Sequence, residues 1–444
     1  MIELTAVGGY SEVGRNMTAI KVNDDVVVCD IGLHMENYVM ITHDDDTQNV
    51  SGGLLTDKEA VPNIKHIADW QDKVRLIIPS HAHLDHIGGI PYLANNFNAD
   101  ILASPFCAAV LKNILTDDKI KIKNKIRALN VNSVYSHNDN LRIELINITH
   151  STPQSVLIAI HTKQGAIVYA NDFKFDQNPI VGKKPDMEKL KALGEKGVLA
   201  LVIESTYAGT AGKMPSEAVA RQLLKDVMIG TDMRGKAVIV TTFASHIARL
   251  KSIIEFGLAM NRKVVFLGRS LAKYVKAAEG QSIVEFSKDV EVVKYSRQIK
   301  RRLKKIMKEG KDKYVLVVTG HQGEPGSTLS KMANGELSEF NFSPGDNIVF
   351  SCRVIPTPTN IMNREIIEKN LKKAGCRIFT DIHVSGHSAR EDHREMVTML
   401  KPKHIIPAHG PLDMTTKMAE LAYEMGYSRD NVHLLKNGMR IKLD

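Results

Sequence analysis

The sequence predicts an α/β fold in which one domain is inserted into another. Before Glu204, short apolar segments typical of β-strands alternate with turns, and several end in a polar residue. After Glu204 the pattern changes to a longer helix–strand alternation, which is typical of a parallel sheet. Two prolines at 356–360 interrupt it, and more strands with polar ends follow. We therefore predict one domain at 1–206 and 357–444, with an inserted domain at 207–356.

The individual elements follow from local composition and periodicity. Runs of Val, Ile and Leu bounded by turn residues predict strands at 26–29, 76–78, 145–148 and 166–169. In the inserted domain, periodic apolar residues predict helices at 216–228 and 246–260. Short apolar runs there predict strands at 237–242, 263–267, 314–319 and 347–351. A helix at 361–374 is predicted after the second crossing, the boundary at 356/357 where the chain returns from the inserted domain to the first domain.

Composition narrows the class of protein. The formal charge of +9 favours a polyanionic partner, and an aromatic content of only 5% favours binding to a nucleic-acid backbone over extensive base stacking. The four cysteines are scattered, which predicts reduced thiols and excludes a disulfide framework or a cysteine-type zinc site. With no membrane span and no signal peptide in the sequence, we expect a cytoplasmic protein.

Residues 80–86, Ser-His-Ala-His-Leu-Asp-His, carry the strongest chemical signal. They follow an apolar strand, and in an extended chain His81, His83 and Asp85 point to one side. Imidazole and carboxylate together suit zinc and similar divalent ions. A single histidine is more often a core or surface residue than a ligand, but three histidines and an aspartate this close together favour a metal site.

Three further candidates, His150, Asp172 and His409, follow distant apolar strands. Each alone could be a cap or turn residue, but together they complete two sites. We predict that one metal is held by His81, His83 and His150, a second by Asp85, His86 and His409, and that Asp172 bridges them. Asp85 is also the candidate for orienting water, and Asp30 for supporting the ligands through hydrogen bonds. Two such ions can activate water and stabilise displacement at phosphorus.

The metal motif resembles the metallo-β-lactamase superfamily as a whole, and further motifs narrow the resemblance to its β-CASP nucleases. Those motifs are IESTYA (203–208), TTFASHIARL (241–250), LGRSL (267–271), TGHQGEP (319–325), HVSGHS (383–388) and IIPAHG (405–410). Within that group, GGYSEVGRNM (8–17) and NDFKFDQNP (171–179) resemble the ribonuclease J family. The resemblance covers nearly the whole chain. It implies an αββα sandwich with an inserted β-CASP domain built on a parallel sheet.

The resemblance also implies roles for residues outside the metal set. Glu204 is the acidic β-CASP residue, although bacterial relatives usually have aspartate there, and we expect it to support the site. His387 lies in the second β-CASP motif and is the catalytic candidate for stabilising the scissile phosphate or protonating the leaving oxygen. The alternative is a loop histidine bonded to backbone carbonyls. Candidates for holding the RNA backbone or a terminal phosphate, each equally compatible with a turn or cap, are Ser385, Gly386, Ser245, Arg269 and Ser270.

The implied activity is 5′-to-3′ removal of nucleotides from single-stranded RNA, preferring a 5′ monophosphate, with endonuclease activity also compatible. The implied cofactors are two zinc ions, and such ligands also accept manganese. The sequence ends 35 residues after His409. We therefore expect an archaeal-type chain without the C-terminal domain of bacterial relatives, and also without an N-terminal RNA-binding module. A homodimer and membership of an RNA-decay or processing complex stay open.

Three other functions are compatible with parts of the sequence. A small-molecule hydrolase would share the metals but would not need the inserted domain. A DNA-processing relative would have the same architecture, and an inactive RNA-processing subunit would typically have lost metal ligands, which this chain retains. Two basic stretches, 294–313 and 119–127, could follow RNA phosphates. A solvated helix face explains the first equally well, and an ordinary charged surface explains the second better.

Overall fold

The chain divides into two units, one inserted into the other. The computed structural model describes residues 1–42, 50–139 and 141–444. Unit 1 comprises Met1–Gln177, Gly182–Met214 and Ser385–Asp444, and unit 2 comprises Asn178–Val181 and Pro215–Val384. The insertion predicted from the sequence is therefore present.

Unit 1 contains two β-sheets. In spatial order, the strands of the first sheet are Arg440–Leu443 (β19), Ile2–Gly8 (β1), Met17–Val22 (β2), Asp25–Cys29 (β3), Val74–Ile78 (β4), Asp100–Ala103 (β5) and Ile126–Ala128 (β6). Those of the second sheet are His404–Ala408 (β18), Val198–Glu204 (β11), Gly165–Ala170 (β10), Val156–Thr162 (β9), Leu141–Asn147 (β8) and Ser133–Asn138 (β7). Strands β10, β11 and β18 run parallel, so their carboxyl ends meet at one edge.

Helices cover the outer faces of both sheets, which completes the αββα sandwich that the resemblance implies. Between the sheets, Leu4 and Val27 of the first belong to the same buried cluster as Ile158 and Val202 of the second. The other face of the second sheet packs against helices Met187–Lys196 (α6), Arg390–Leu400 (α13) and Leu412–Glu424 (α14). The remaining α-helices of this unit are Met35–Ile41 (α1), Gly52–Asp57 (α2), Leu84–Ile87 (α3), Ile90–Leu93 (α4) and Pro105–Asp117 (α5).

Unit 2 is built on a parallel sheet, as predicted. Its strands, in spatial order, are Val290–Val293 (β14), Lys263–Leu267 (β13), Tyr314–Val318 (β15), Val238–Thr241 (β12), Asn347–Phe350 (β16) and Arg377–Phe379 (β17). Its helices are Glu217–Met228 (α7), Ile247–Ala259 (α8), Arg269–Gly280 (α9), Ser296–Glu309 (α10), Thr328–Ala333 (α11) and Pro358–Lys373 (α12). The elements predicted between 216 and 351 agree with these bounds to within one residue at each end. Outside the insert, the strand predicted at 145–148 is longer and begins at Leu141.

The second crossing between the units lies later than the sequence predicted. The prediction placed it at 356/357, whereas the structure places it between Val384 and Ser385. Pro358 occupies the first turn of α12, where a missing backbone N–H costs nothing, and the Thr357 side chain caps that turn. The prolines therefore begin a helix of unit 2, and β17 then pairs with β16 in the same sheet. The crossing predicted at 206/207 lies at Met214/Pro215, and the short segment Asn178–Val181 also belongs to unit 2.

Among the residues that the structure describes, every helix is too short or too polar to span a lipid bilayer.

Candidate metal centre

The candidate site lies in unit 1, where strand ends deliver polar side chains. Asp30 follows β3, Asp172 lies two residues after β10, and His409 follows β18. All three have left-handed backbone conformations, with φ values of 61°, 56° and 57° respectively. Such a conformation is costly for a residue other than glycine and is concentrated at functional sites. At all three strand ends the turn directs the side chain into the site.

The first predicted ligand group converges on one point. His83 Nδ1 lies 3.0 Å from His81 Nε2 and 3.1 Å from His150 Nε2. Three nitrogens around a tetrahedral zinc ion would lie about 3.3 Å apart. Burial lowers the pKa of His83 to about 4, and it lowers the pKa values of His81 and His150 well below the usual value. All three rings are therefore neutral at neutral pH, and each can offer a lone pair to a cation.

The second predicted group is built around a pair of neighbouring residues. Asp85 Oδ2 lies 3.4 Å from His86 Nε2 and 3.9 Å from His409 Nε2. Burial alone would lower the pKa of His86, but the carboxylates of Asp172, Asp85 and Asp30 raise it well above its usual value. The carboxylates around the His86 ring thus favour a positive charge at this position, which a proton or a bound metal ion can supply.

Asp172 lies between the two groups. Its Oδ2 is 3.5 Å from His81 Nε2, 3.6 Å from His150 Nε2 and 3.3 Å from His86 Nε2, and its Oδ1 is 3.5 Å from His409 Nε2. The side chain is buried, and Oδ1 accepts no hydrogen bond. A buried carboxylate oxygen without a donor is costly unless a cation compensates it. The donor set therefore fits divalent ions, with one carboxylate placed to touch both groups.

Each of the five imidazoles has its other ring nitrogen in a polar contact outside the ligand groups. These contacts join His81 Nδ1 to Ser80 Oγ (3.0 Å), His83 Nε2 to Ser151 Oγ (3.4 Å), His86 Nδ1 to Asp30 Oδ2 (2.7 Å), His150 Nδ1 to the Gly386 carbonyl (2.7 Å) and His409 Nδ1 to Asn16 Oδ1 (2.8 Å). Hydrogen bonds of this kind fix the tautomer and orientation of metal-binding histidines. The inward-facing nitrogens are thereby held ready for a metal.

Asp30 and Asn16 support the predicted metal ligands by contacting the ring nitrogens that face away from the ligand groups. Asp30 is fully buried and accepts hydrogen bonds from Ser80 N (2.7 Å) and from the Tyr169 hydroxyl (2.8 Å), besides its contact with His86. Asn16 Nδ2 donates to the Asp85 carbonyl oxygen at 3.0 Å. The sequence predicted a supporting role for Asp30 but missed Asn16. The available signal was its place in the 8–17 motif, although its distance from His409 along the chain concealed the contact.

Two glycines permit close approach of the backbone at the site. A Cβ atom on Gly32 would lie 1.6 Å from the carbonyl oxygen of Asp85. A Cβ atom on Gly386 would lie 2.9 Å from the ring of His150, whose Nδ1 contacts the Gly386 carbonyl. Gly386, predicted to hold phosphate, thus also positions a predicted metal ligand.

His387 and Glu204 form a pair beside Asp172. His387 Nδ1 lies 2.7 Å from Glu204 Oε2 and 3.9 Å from Asp172 Oδ1. Glu204 is fully buried, and its Oε1 accepts hydrogen bonds from the backbone N–H groups of Phe173 and Ser388. Burial lowers the pKa of His387, but Glu204 and Asp172 outweigh it and raise that pKa to about 10. His387 is therefore held as a cation whose orientation Glu204 fixes.

The loop that carries His387 forms hydrogen bonds with the residues that follow Asp172. The buried Lys174 ammonium donates to the Ser385 carbonyl at 3.0 Å, and the Ser388 hydroxyl donates to the Phe173 carbonyl at 2.7 Å. The Ser385 hydroxyl accepts from the His387 backbone N–H at 3.1 Å. Lys174 lies in the 171–179 motif, but the sequence did not suggest its role.

The structure brings together the seven predicted metal ligands, Asp30, Glu204, His387, Ser385 and Gly386, all within unit 1. The other three predicted phosphate-binding residues, Ser245, Arg269 and Ser270, belong to unit 2. Ser245 is buried there, whereas Arg269 and Ser270 begin α9 and are exposed.

Comparison with known proteins gives matches along most of the chain. Family models described as metallo-beta-lactamase superfamily, as ribonuclease J, beta-CASP domain, and as Zn-dependent metallo-hydrolase RNA specificity domain match residues 14–196, 235–369 and 375–435. The chain is 42% identical to a ribonuclease J of Methanocaldococcus jannaschii, over 100% of this chain and 99% of that protein. It is 41% identical to a ribonuclease J of Pyrococcus abyssi, over 100% of this chain and 97% of that protein.

A crystal structure of a protein of unknown function from Enterococcus faecalis V583 has a similar fold. The TM-score is 0.65 at 15% sequence identity, and the match covers 99% of each chain. This likeness concerns the fold alone.

Asn16→Ala should weaken zinc binding about 10–100-fold, the usual effect of removing a residue that orients metal ligands. The substitution removes the partner of His409 Nδ1 and the support of the Asp85 backbone. Competition with a chromophoric chelator measures the affinity. Asn370→Ala is the matched control, because its side-chain bond to Asn334 lies in unit 2. Wild-type zinc affinity in Asn16→Ala, with the fold retained by circular dichroism, would contradict the role given to Asn16.

Proposed function

The chain belongs to the ribonuclease J family, and on that premise we propose that it is a two-metal, zinc-dependent ribonuclease that removes nucleotides from the 5′ end of RNA. RNA as the substrate is supported by the ribonuclease J relatives and by the match to an RNA specificity domain. The observation that carries the two-metal proposal is Asp172, whose carboxylate lies against both ligand groups.

The ligand groups define how the metals would be held. His81, His83 and His150 would hold one ion, Asp85, His86 and His409 the other, and Asp172 would touch both. When bound, two such ions activate water and neutralise charge on the phosphate during in-line displacement. The protein's own contribution is to fix the metal-donor atoms through hydrogen bonds that the outer ring nitrogens make with Ser80, Ser151, Asp30, Gly386 and Asn16.

Asp85 has a second role in this proposal. Its side chain is partly exposed, unlike that of Asp172, so one carboxylate oxygen can face an incoming water. We place Asp85 as the group that orients the attacking water and accepts its proton. Its backbone is fixed by Asn16 and by the close approach of Gly32.

His387 is placed to act on the leaving side of the reaction. Its Nδ1 is engaged by Glu204, so Nε2 is the atom left to face substrate, and the ring is 22% exposed. A cationic imidazole there stabilises charge that develops on the scissile phosphate, and it can donate a proton to the leaving 3′ oxygen. The proton on Nδ1 stays in the hydrogen bond to Glu204.

Ser385 and Gly386, beside His387, offer polar groups to the RNA backbone or to a 5′ phosphate. Ser245, Arg269 and Ser270 are the candidates from unit 2, where a guanidinium and two hydroxyls suit phosphate oxygens. Recognition of a terminal monophosphate by either of these two sets of residues would give the preference for 5′-monophosphate ends.

The direct test is a time course on RNA labelled at its 3′ end and carrying either a 5′ monophosphate or a 5′ triphosphate. We expect progressive shortening from the 5′ end, faster with the monophosphate, because a terminal-phosphate site admits the smaller group. Discrete internal fragments that do not depend on the end group would mean an endonuclease and would remove the phosphate-site assignments. Equal cleavage of a matched DNA strand would contradict RNA as the specific substrate.

His387→Ala should lower the rate of cleavage about 10²–10⁴-fold, which is the usual contribution of a positioned acid or base. Zinc content and RNA affinity should stay close to those of the wild type. Glu204→Gln keeps the shape of the side chain but removes its charge, so it should slow the reaction in the same direction. The double variant should be no slower than His387→Ala, since Glu204 acts through that ring.

Single-turnover kinetics with a fixed RNA measures these rates, and zinc analysis of each purified variant accompanies them. His137→Ala is the matched control, because His137 is an exposed histidine on β7. An unchanged rate in His387→Ala would remove this residue from the mechanism. Additive losses in the double variant would contradict the coupling to Glu204.

A further inference from the structure

Helix α10 of unit 2 concentrates most of the net charge of the protein. Its sequence, Ser-Arg-Gln-Ile-Lys-Arg-Arg-Leu-Lys-Lys-Ile-Met-Lys-Glu, contains seven basic residues and one acidic residue. The helix therefore carries a formal charge of +6, out of +9 for the whole chain. The other 430 residues are close to balanced. The basic character of the protein is thus local, and it belongs to one element.

The packing of α10 fixes which face is basic. Ile299, Leu303 and Ile306, spaced three or four residues apart, are buried in the core of unit 2. This apolar stripe orients the helix and turns the opposite side to solvent. The basic residues on the exposed side are Arg297, Lys300, Arg301, Lys304, Lys305 and Lys308. From Arg297 to Lys308 they extend along about 16 Å of the helix axis.

The exposed basic face has little internal counter-charge. Arg302, at the side of the helix, pairs with Glu291, and Lys305 lies 3.6 Å from Glu309. In the part of the chain that the structure describes, the other five exposed basic residues have no carboxylate within ion-pair distance. Several of them are spaced four residues apart, as are Lys300 and Lys304, and such like-charged pairs destabilise a helix. The unbound protein bears this repulsion, which a bound polyanion would remove.

We propose that the exposed basic face of α10 is a docking surface for the phosphate backbone of single-stranded RNA, separate from the residues of the metal centre. The proposal rests on the proposed function, which makes RNA the substrate. Charge complementarity identifies the ligand, since a strand of RNA supplies regularly spaced negative charges to a row of basic side chains. Tyr295, at the start of the helix and 54% exposed, offers a ring on which one base can stack.

An acidic protein partner fits this face less well. Cores of protein–protein interfaces are depleted in lysine and depend on buried aromatic or aliphatic anchors. Here lysines dominate the exposed side, and the large apolar residues of the helix face the core. Long lysine side chains in water are suited to a mobile, sequence-independent contact with phosphates. RNA that is held along α10 would be retained by the protein between successive cleavages.

The experiment measures how RNA binding depends on salt, using the full-length, zinc-loaded protein. The probe is a phosphorothioate oligouridine, which keeps the backbone charge and resists cleavage. The test variant carries Lys300→Gln, Arg301→Gln, Lys304→Gln and Lys308→Gln, and glutamine preserves the helix. The matched control carries Lys163→Gln, Lys191→Gln, Lys196→Gln and Lys401→Gln, four exposed lysines of unit 1 outside both basic stretches, with the same total charge change.

We expect the four substitutions in α10 to weaken binding about tenfold or more between about 50 and 200 mM salt. The slope of log affinity against log salt should become shallower by about 3, at about 0.7 for each lost contact with a single strand. The control should keep most of the wild-type slope. Wild-type binding in the α10 variant would overturn the proposal and would leave an acidic protein partner as the alternative. Equal losses in both variants would also overturn it, because they would show an effect of net charge alone.

A second measurement separates this surface from the proposed function. Cleavage of a trinucleotide, which has only two internucleotide phosphates and needs one of them at the metal centre, should be the same in the α10 variant and the wild type. Loss of that cleavage together with normal folding would overturn the separation of this surface from the metal centre. If the wild-type protein bound the oligouridine through α10 but cleaved no RNA, the proposed function would fail while the docking surface stood.

Discussion

The buried carboxylate of Asp172 is the constraint on which the rest of the site depends. It lies against imidazoles of both ligand groups, and one of its oxygens accepts no hydrogen bond. Removing such a charge from water is costly unless cations or donors compensate it. The left-handed backbone at Asp30, Asp172 and His409 adds a cost of the order of 1–3 kcal/mol per residue. A bound cation would compensate the Asp172 carboxylate, and the strained turns would place the donor side chains around that cation.

The chain topology explains how distant residues come together. Strand β18 pairs in parallel with β11, so that His409 and Glu204 leave the same edge of the second sheet. Gly386, His387 and His409 all follow the insertion in sequence, yet their partners His150, Glu204 and Asn16 precede it. The site is therefore complete only when the last segment of unit 1, Ser385–Asp444, packs against the earlier segments of the same unit. An inserted unit is compatible with this because all four points at which the chain passes between the units lie outside the sandwich strands.

Much of this arrangement could be predicted from the sequence because its signals are local. The metal candidates follow apolar strands, so the sequence could single out side chains that the structure brings together. The elements of unit 2 have clear periodicity, and their bounds were predicted closely. The partners that orient the ligands could not be predicted in the same way. The His409 partner lies 393 residues away in Asn16, and the His150 partner is a backbone carbonyl that any residue could supply. The second crossing was misplaced because Pro358 signals a break in the chain, whereas in the fold it begins a helix.

The most direct test of the two-metal site is the number and position of metal ions in crystals of the zinc-loaded protein, located by anomalous diffraction at the zinc absorption edge. The account predicts two peaks, both adjacent to the Asp172 carboxylate. One should also contact His83 Nδ1 and the other His409 Nε2. A single peak under zinc saturation, or two peaks of which either lies away from Asp172, would contradict it.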